Sequence, residues 1–381
     1  MLKPTILSIS MATVMAGAAI SPALGLIAKA FPEASPTMIK LILTAPSLMI
    51  IPFSFLSSYL TTKIPKKTIC LIGLVIYIMG GVGPQFVSSI AALLTLRLIL
   101  GAGVGLVMPL SMTLINDYFE GKERTKMMGY NSAFSNVGGI LTMLLAGWLA
   151  TFSWRVPFNV YFLGLGIFIL IFFFLPKEQV QRHNYENRGK LPLAVVGYAV
   201  AMGGIMLAYY AIATNIALYL EQSALGNAAL AGTVVSFTTV GGMITSLLLV
   251  QIEVALKQYI IPIMLSIMGI AFFILTVTHQ LPLVILSVCF VGFGQGVLFP
   301  TLSLKALDQV PFTRADQAIA LTSSFTFLGQ FLSPIVLDGF ANLLGRASIR
   351  FQYGTLSVAL LTTVIVSFFF ILKNNRLETS H

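Results

Sequence analysis

The chain has 381 residues, of which 57% are hydrophobic and only 9% are charged, and its formal net charge is +10. A soluble domain carries about a quarter charged residues, so this composition excludes a soluble globular protein. Stretches of about 20 apolar residues recur along the chain, which is the length a helix needs to cross roughly 30 Å of hydrocarbon. Runs such as residues 158–175 lack the alternation of a transmembrane β-strand. We therefore predict an all-α protein whose solvent is the lipid bilayer.

In chain order, the first half of the sequence predicts six transmembrane helices. They cover residues 5–28, 39–60, 68–86, 90–115, 129–150 and 158–175. Residues 176–190 follow as a stretch dense in charged and amide side chains, which is typical of a solvated linker. Six more helices are predicted at 191–220, 230–250, 258–277, 281–303, 317–337 and 353–372. The prediction is twelve helices in two six-helix bundles, residues 1–175 and 191–381, joined by the linker 176–190.

Lysine and arginine residues concentrate on one side of these predicted helices. With the N-terminus inside the cell, sixteen of the 22 basic residues fall on the cytoplasmic side and five, Lys40 among them, on the outer side. Cytoplasmic loops of membrane proteins carry such an excess, so the positive charge indicates topology and we expect no nucleic-acid partner. We predict a multi-pass protein of a bacterial-type inner (plasma) membrane, with both termini and the linker in the cytoplasm.

An internal repeat supports the two-bundle interpretation. A shift of 191 residues places Gly101, Gly103, Gly105, Pro109 and Asp117 on Gly292, Gly294, Gly296, Pro300 and Asp308. Two parallel repeats of six helices form one large class of transporters, with the substrate site between the halves near the bilayer midplane. We expect the repeated glycines to allow close helix packing and flexing, and Pro109 and Pro300 to kink their helices.

Motifs in the first half resemble a known family. Arg97 opens an Arg-x-x-x-Gly-x-Gly element in the fourth predicted helix, residues 116–119 read Asn-Asp-Tyr-Phe, and residues 153–158 read Ser-Trp-Arg-Val-Pro-Phe. Together with Arg124 and the two-repeat layout, these residues resemble the major facilitator superfamily, and within it the twelve-helix drug:proton antiporters. The resemblance covers nearly the whole chain. It implies export of a small solute by alternating access, coupled to protons.

Two departures from that family pattern keep a second function open. The loop after the second helix has Thr62 where the family has Asp, and Pro65 where it has Gly. The Gly-Pro-x-x-Gly-Gly element of antiporters would fall on residues 142–147, where only Gly147 remains. An uptake carrier or facilitator for a small nutrient is therefore the alternative to efflux, and a membrane sensor without transport is a further alternative.

Arg97 is the sharpest candidate for the substrate path. A charged side chain inside a span usually faces a cavity or a partner, where it could hold an anionic substrate group. The alternative is that Arg97 reaches the interface as an anchor. Further path candidates are polar residues within predicted helices: Asn131, Asn136, Tyr209, Tyr210, Asn215, Gln295 and Gln330. They describe an aromatic, nearly charge-free cavity for a neutral or amphipathic solute, although each could instead join helices by hydrogen bonds.

Charged residues near the predicted helix ends supply two more sets of candidates. Charges that could close the cytoplasmic side are Lys63, Lys66, Asp117, Arg124, Asp308 and Arg314. Their alternative is a solvated loop charge of little energetic effect. No acid lies in the middle of a predicted helix, so Glu221 and Asp338, at the outer ends of the seventh and eleventh helices, are the candidates for proton coupling.

The sequence gives no indication of an enzyme. His183, His279 and His381 lie in loops or the tail, and Cys70 and Cys289 are isolated inside predicted helices, so we expect no metal and no cofactor. No Walker sequence is present, which argues against direct use of ATP. The expected partners are a small-molecule substrate, the lipid bilayer and protons, and we expect a monomer.

Overall fold

The computed structural model of this chain describes residues 2–176, 191–311 and 314–378, and every regular element within them is helical. Hydrocarbon offers no hydrogen-bond partner, so each backbone group must find one within the protein, and a helix provides most of them within a single segment. Among the described residues, twelve spans are long and apolar enough to cross a membrane, which confirms the predicted class and number. The spans are α1 Leu2–Ala30, α2 Pro36–Leu60, α3 Lys66–Phe86, α4 Ile90–Tyr118, α5 Gly121–Ala150, α6 Val156–Phe174, α7 Leu193–Gln222, α8 Ala228–Leu247, α9 Leu249–Val277, α10 Leu281–Leu307, α11 Ala315–Leu343 and α12 Ile349–Phe369.

Several spans extend beyond their predicted ends. The span α11 continues to Leu343 and α12 begins at Ile349, because a helical hydrogen-bond ladder runs on through polar turns that hydropathy leaves out. Asp338 and Gln352 therefore lie inside helices. Lys40, which the charge count assigns to the outer side, lies near the start of α2 and is 2% exposed.

The first span is interrupted near its middle. An α-helix covers Leu2–Ala18, a 3₁₀ turn covers Ser21–Ala23, and a short α-helix covers Leu24–Ala30. Pro22 lies in the turn and has no N–H to donate to the preceding helix. The carbonyls in the last turn of Leu2–Ala18 consequently need donors from elsewhere in the protein.

By Cα proximity the chain divides into two compact units. Unit 1 comprises Met1–Lys190, Asn227–Thr233 and Gln330–Pro334. Unit 2 comprises Leu191–Gly226, Val234–Gly329 and Ile335–His381. Apart from Pro176, the predicted linker lies outside the described residues, so its boundaries remain a prediction.

Within unit 1, the repeated glycines of α4 lie where other helices come closest. A Cβ at Gly101 would overlap the carbonyl oxygen of Pro46 in α2, and one at Gly103 would lie 2.5 Å from the Tyr77 nitrogen in α3. A Cβ at Gly105 would lie 2.8 Å from the Ile50 carbonyl oxygen, again in α2. Because glycine has no Cβ, α4 can pack directly on the backbones of α2 and α3.

Unit 2 repeats this packing around α10. A Cβ at Gly292 would overlap the Thr238 carbonyl oxygen in α8, and one at Gly294 would overlap Met268 in α9. A Cβ at Gly296 would lie 2.5 Å from the Gly242 carbonyl oxygen, in α8. Residues 77 and 268, which face the middle glycine of each set, are again 191 positions apart, so the sequence repeat is also a repeat of helix contacts.

Candidate functional site

Arg97 is completely buried in unit 1, and all three of its guanidinium nitrogens donate hydrogen bonds. Nε donates to the Ile42 carbonyl oxygen at 2.8 Å, Nη1 to the Tyr161 hydroxyl at 2.8 Å, and Nη2 to the Ala16 carbonyl oxygen at 3.1 Å. The exposed fraction of Arg97 is 0%, so its charge does not reach the membrane interface and the anchor interpretation does not describe it.

The two carbonyl groups bound by Arg97 lie where helices are interrupted. Pro46 stands four residues after Ile42 in α2 and has no N–H, so the Ile42 oxygen lacks its intrahelical donor. Ala16 belongs to the last turn of the first α1 piece, Leu2–Ala18, whose final carbonyls have no partner in their own helix. Arg97 thus supplies donors to the backbones of two other spans at the point where each ladder is broken.

Tyr161 of α6 completes this cluster. Its hydroxyl accepts from Arg97 and donates to the Ala16 oxygen at 3.3 Å, and the guanidinium carbon lies 5.3 Å from its ring centre. Tyr77 of α3 packs against Tyr161 in an edge-on geometry with ring centres 5.6 Å apart. The positive charge is therefore held by neutral oxygens and an aromatic ring, an arrangement that stabilises a buried cation.

Two of the remaining path candidates of unit 1 hold hydrogen bonds to other residues. Asn131 of α5 is buried, with Oδ1 accepting from the Ser111 hydroxyl at 2.7 Å and its main-chain oxygen accepting from the Ser10 hydroxyl at 3.3 Å. Gln330, which falls within Gln330–Pro334 of unit 1, accepts from the Ser47 hydroxyl at 2.9 Å through Oε1. Through Ser111 of α4 and Ser10 of α1, Asn131 connects three spans, as expected of an amide that joins helices. Asn136 is partly exposed.

The charged candidates of unit 1 lie at the span ends predicted to be cytoplasmic. Lys66, at the start of α3, forms an ion pair with Asp117, near the end of α4, and their side chains are 21% and 33% exposed. Lys63 lies over the Tyr59 ring at 4.6 Å, and Arg124 is exposed. The structure thus pairs Asp117 with the loop lysine.

In unit 2, the structure brings together one path candidate and one proton-coupling candidate. Asp338 of α11 is 4% exposed, and its Oδ1 accepts a hydrogen bond from Gln352 Nε2 of α12 at 2.7 Å. Gln352 Oε1 in turn accepts from Asn215 Nδ2 of α7 at 3.2 Å. The expectation that Asp338 sits at the outer end of its helix is corrected, because the helix continues past it and neighbouring helices bury it.

The other candidates of unit 2 are less enclosed. Tyr209 and Tyr210 have ring centres 6.1 Å apart and are partly exposed, as are Gln295, Glu221 and Arg314, whereas Asp308 is exposed. Pro300 leaves the Gly296 carbonyl without an intrahelical donor, and the Ser246 hydroxyl of α8 donates to that oxygen at 3.3 Å.

Two residues of these clusters are absent from the sequence-based candidates. Gln352 lies one residue before the predicted start of the twelfth helix, so hydropathy placed it in a loop. Tyr161 lies inside the sixth helix, where an aromatic residue carries no distinguishing signal. Extending each predicted helix by one turn would have included Gln352. Nothing in the sequence near Tyr161 indicates that it faces Arg97.

The sequence resembles curated transporters over part of its length. A family model described as Major Facilitator Superfamily matches residues 6–334. The quinolone resistance protein NorA of Staphylococcus aureus is 38% identical over 117 residues, which is 29% of this chain and 29% of NorA. The uncharacterized MFS-type transporter YhcA of Bacillus subtilis (strain 168) is 27% identical over 157 residues, 39% of this chain and 29% of YhcA. These matches therefore span less than a third of each relative.

The fold resembles solved transporters over nearly its whole length. The nucleoside transporter NupG shows a TM-score of 0.78 at 14% identity, covering 96% of this chain and 99% of that one. The bacterial homolog of the human lysosomal transporter Spinster, in an inward-facing and unoccupied conformation, shows a TM-score of 0.72 at 16% identity, covering 96% and 94%. At such identities the likeness shows the fold alone. With the family match across most of the sequence, it leads to one conclusion: this chain is a transporter that belongs to the Major Facilitator Superfamily.

Proposed function

We propose that this protein exports small neutral or amphipathic solutes by alternating access, in exchange for protons. The hydrogen bonding and burial of Arg97 are the main support for this class of substrate. Each of its nitrogens donates to a protein oxygen, and its exposed fraction is 0%. A guanidinium engaged in this way does not offer its planar pair of donors to a substrate carboxylate or phosphate.

The remaining polar side chains of the candidate path also favour a solute without strong negative charge. Tyr209, Tyr210 and Gln295 are uncharged and partly exposed. Aromatic and amide groups bind an amphipathic molecule through apolar contact and a few hydrogen bonds. A multiply charged anion would lose its hydration there without gaining a cation.

The direction of transport and the coupling rest on similarity. The NorA match covers 117 residues, and NorA is named for quinolone resistance. We therefore propose that a quinolone is a substrate of this protein as well. The drug:proton antiporter motifs around Arg97 and residues 153–158 point to the same direction and coupling.

The test uses everted membrane vesicles from cells that express this chain. With the vesicle interior made acidic, a fluorescent quinolone should accumulate inside and should leave again when a protonophore collapses the gradient. Vesicles without the chain are the control, and an excess of a divalent organic anion should not compete. Accumulation only in right-side-out vesicles would instead establish the uptake function, and accumulation that ignores the pH gradient would exclude proton coupling.

A further inference from the structure

Three buried polar side chains of unit 2 form one continuous chain of hydrogen bonds. Asn215 Nδ2 donates to Gln352 Oε1 at 3.2 Å, and Gln352 Nε2 donates to Asp338 Oδ1 at 2.7 Å. Their exposed fractions are 1%, 3% and 4% in that order. An acid buried within a transmembrane helix is costly to keep charged, and such residues typically mark proton or ion sites.

The hydrogen bonds of this series all run in one direction. Each amide turns its nitrogen toward the next residue, so the series of donors ends on Asp338, which accepts as a carboxylate does. At the other end, the Oδ1 atom of Asn215 is buried and has no hydrogen-bond partner among the described residues. A buried acceptor without a donor is unfavourable by about 1–3 kcal/mol, so the state of this oxygen requires an explanation.

If the hydrogen bonds of this series are reversed, Asn215 Oδ1 becomes the acceptor at its end. A carboxamide presents a donor and an acceptor at nearly equal positions, so a half-turn of its amide group exchanges the two. A protonated Asp338 would donate to Gln352 Oε1, and Gln352 Nε2 would then donate to Asn215 Oδ1. The same heavy-atom positions thus satisfy the acid in both of its protonation states.

We infer that Asp338, Gln352 and Asn215 form a proton-binding site in unit 2, with Asp338 as the group that takes up the proton. The carboxylate gains one proton to become a carboxylic acid, no other bond forms or breaks, and the two amides reverse their direction. Gln352 is a positioning residue, because it acts on the proton only through Asp338. The inference rests on the proposed proton-coupled export and assigns that proton to specific atoms.

Other ionisable groups lie on the elements around this site. The titratable or charged residues of these elements, near the same end, are Tyr219 and Glu221 on α7, His279 after α9, Arg346 before α12, and Arg350 and Tyr353 on α12. Arg350 donates to the Thr276 oxygen at 3.0 Å and contacts His279 Nδ1 at 3.1 Å. Glu221 is the rival acid, so it is tested beside Asp338.

The experiment measures protonation without any substrate. Purified protein is compared at neutral pH and at a mildly acidic pH above the ordinary pKa of about 4 for exposed aspartate and glutamate. The method is infrared difference spectroscopy, which detects the carbonyl stretch of a newly protonated carboxyl group. The wild type should show this band, Asp338→Asn should lack it, and Glu221→Gln should retain it. Glu253→Gln, which removes an exposed acid at the other end of unit 2, is the matched control and should also retain it. Loss of the band in Glu221→Gln with retention in Asp338→Asn would overturn the inference.

A second measurement connects the site to transport. In proteoliposomes, Asp338→Asn should lose quinolone accumulation driven by a pH gradient but keep counterflow at equal pH, because counterflow needs no net proton movement. Gln352→Met keeps the acid and the side-chain length, so it should shift the pH at which the band appears and reduce gradient-driven accumulation about tenfold. If Asp338→Asn does not fold, the same two measurements on Gln352→Met still test the inference.

The outcomes separate this inference from the proposed function. Gradient-driven accumulation at the wild-type level in Asp338→Asn would overturn the proton site while leaving proton-coupled export intact. A band that depends on Asp338, in a wild-type protein that moves no quinolone, would support the proton site and contradict the proposed substrate. An unchanged band and unchanged transport in Gln352→Met would overturn the role of the amides.

Discussion

Arg97 shows how a single buried charge can hold several helices together. It joins α4 to α1, α2 and α6 through two backbone oxygens and one hydroxyl. Both backbone oxygens lie at interruptions of their own helices, so the prolines and the arginine form one structural arrangement. This explains how a charge that is costly in a membrane can be retained in the interior of unit 1.

We predict that Arg97→Ala and Arg97→Lys both lower the stability of the folded protein more than its turnover. Each buried oxygen that loses its hydrogen bond from Arg97 lowers the stability of the folded protein by about 1–3 kcal/mol. Lysine does not restore these bonds, because its ammonium group lacks the planar fork needed to reach three acceptors. Tyr161→Phe removes one hydroxyl and should cost less than Arg97→Ala. The measurements are thermal unfolding of purified protein and transport per folded molecule. A normal melting temperature with lost transport would place Arg97 in the substrate path instead.

Pro46 provides an internal control for this explanation. In Pro46→Ala the new N–H can donate to the Ile42 oxygen, so this carbonyl no longer depends on Arg97. The double variant Arg97→Ala, Pro46→Ala should therefore be more stable than the sum of the two single effects, by about 0.5–3 kcal/mol. Additive losses in this cycle would show that the Ile42 contact has no energetic importance.

At the scale of the helices, the close contacts of α4 and α10 depend on the absence of side chains. Gly101 packs on the Pro46 backbone and Gly292 on the Thr238 backbone, and in neither case is the neighbour a flexible side chain that could move aside. The two contacts come from helices with matching positions in the repeat. Small residues at such positions let helices approach within van der Waals distance, which drives association where the hydrophobic effect is absent.

We predict that Gly101→Ala and Gly292→Ala each destabilise the protein by about 1–3 kcal/mol, because one added methyl group forces two backbones apart. Gly204→Ala in α7 is the matched control, since a Cβ there meets nothing within 4 Å. It should be neutral or slightly stabilising, as alanine favours a helix by about 1 kcal/mol over glycine. Denaturant unfolding in detergent measures all three. Equal stability of the three variants would contradict the packing explanation.

At the scale of the whole molecule, the distribution of basic residues predicts the orientation in the membrane. The side-to-side bias of lysine and arginine in short loops sets the orientation of such proteins. The prediction that the linker is cytoplasmic rests on this bias.

We predict that cysteine at position 187 is protected from an impermeant thiol reagent in intact cells and that cysteine at position 227 is labelled. Cys70 is buried and Cys289 lies within α10, so the background from native thiols should be low. Disrupted cells, in which both positions should react, are the control. Labelling at position 187 in intact cells would reverse the orientation.

The sequence by itself determined the class of protein, the number of spans and the two-fold repeat. These follow from local properties, since a helix must be about 20 apolar residues long to cross hydrocarbon and must satisfy its own backbone. Hydropathy makes several predicted helices too short, because the hydrogen-bonded backbone of a helix continues into residues that are no longer apolar. As a result, Asp338 was predicted at the outer end of its helix and Gln352 just before its helix, whereas both lie buried within helices.

Only the tertiary structure decided which polar groups meet. The acceptors of Arg97 lie 55, 64 and 81 positions away in the sequence, and Asn215 lies 137 positions from Gln352. No local pattern encodes such pairs, because a hydrogen bond depends on atoms a few ångströms apart and on which helix faces pack together. The sequence therefore identified Arg97 and Asp338 as residues that need partners. The packing of the helices determined that Arg97 binds the backbones of two interrupted helices and that Asp338 binds Gln352, which binds Asn215.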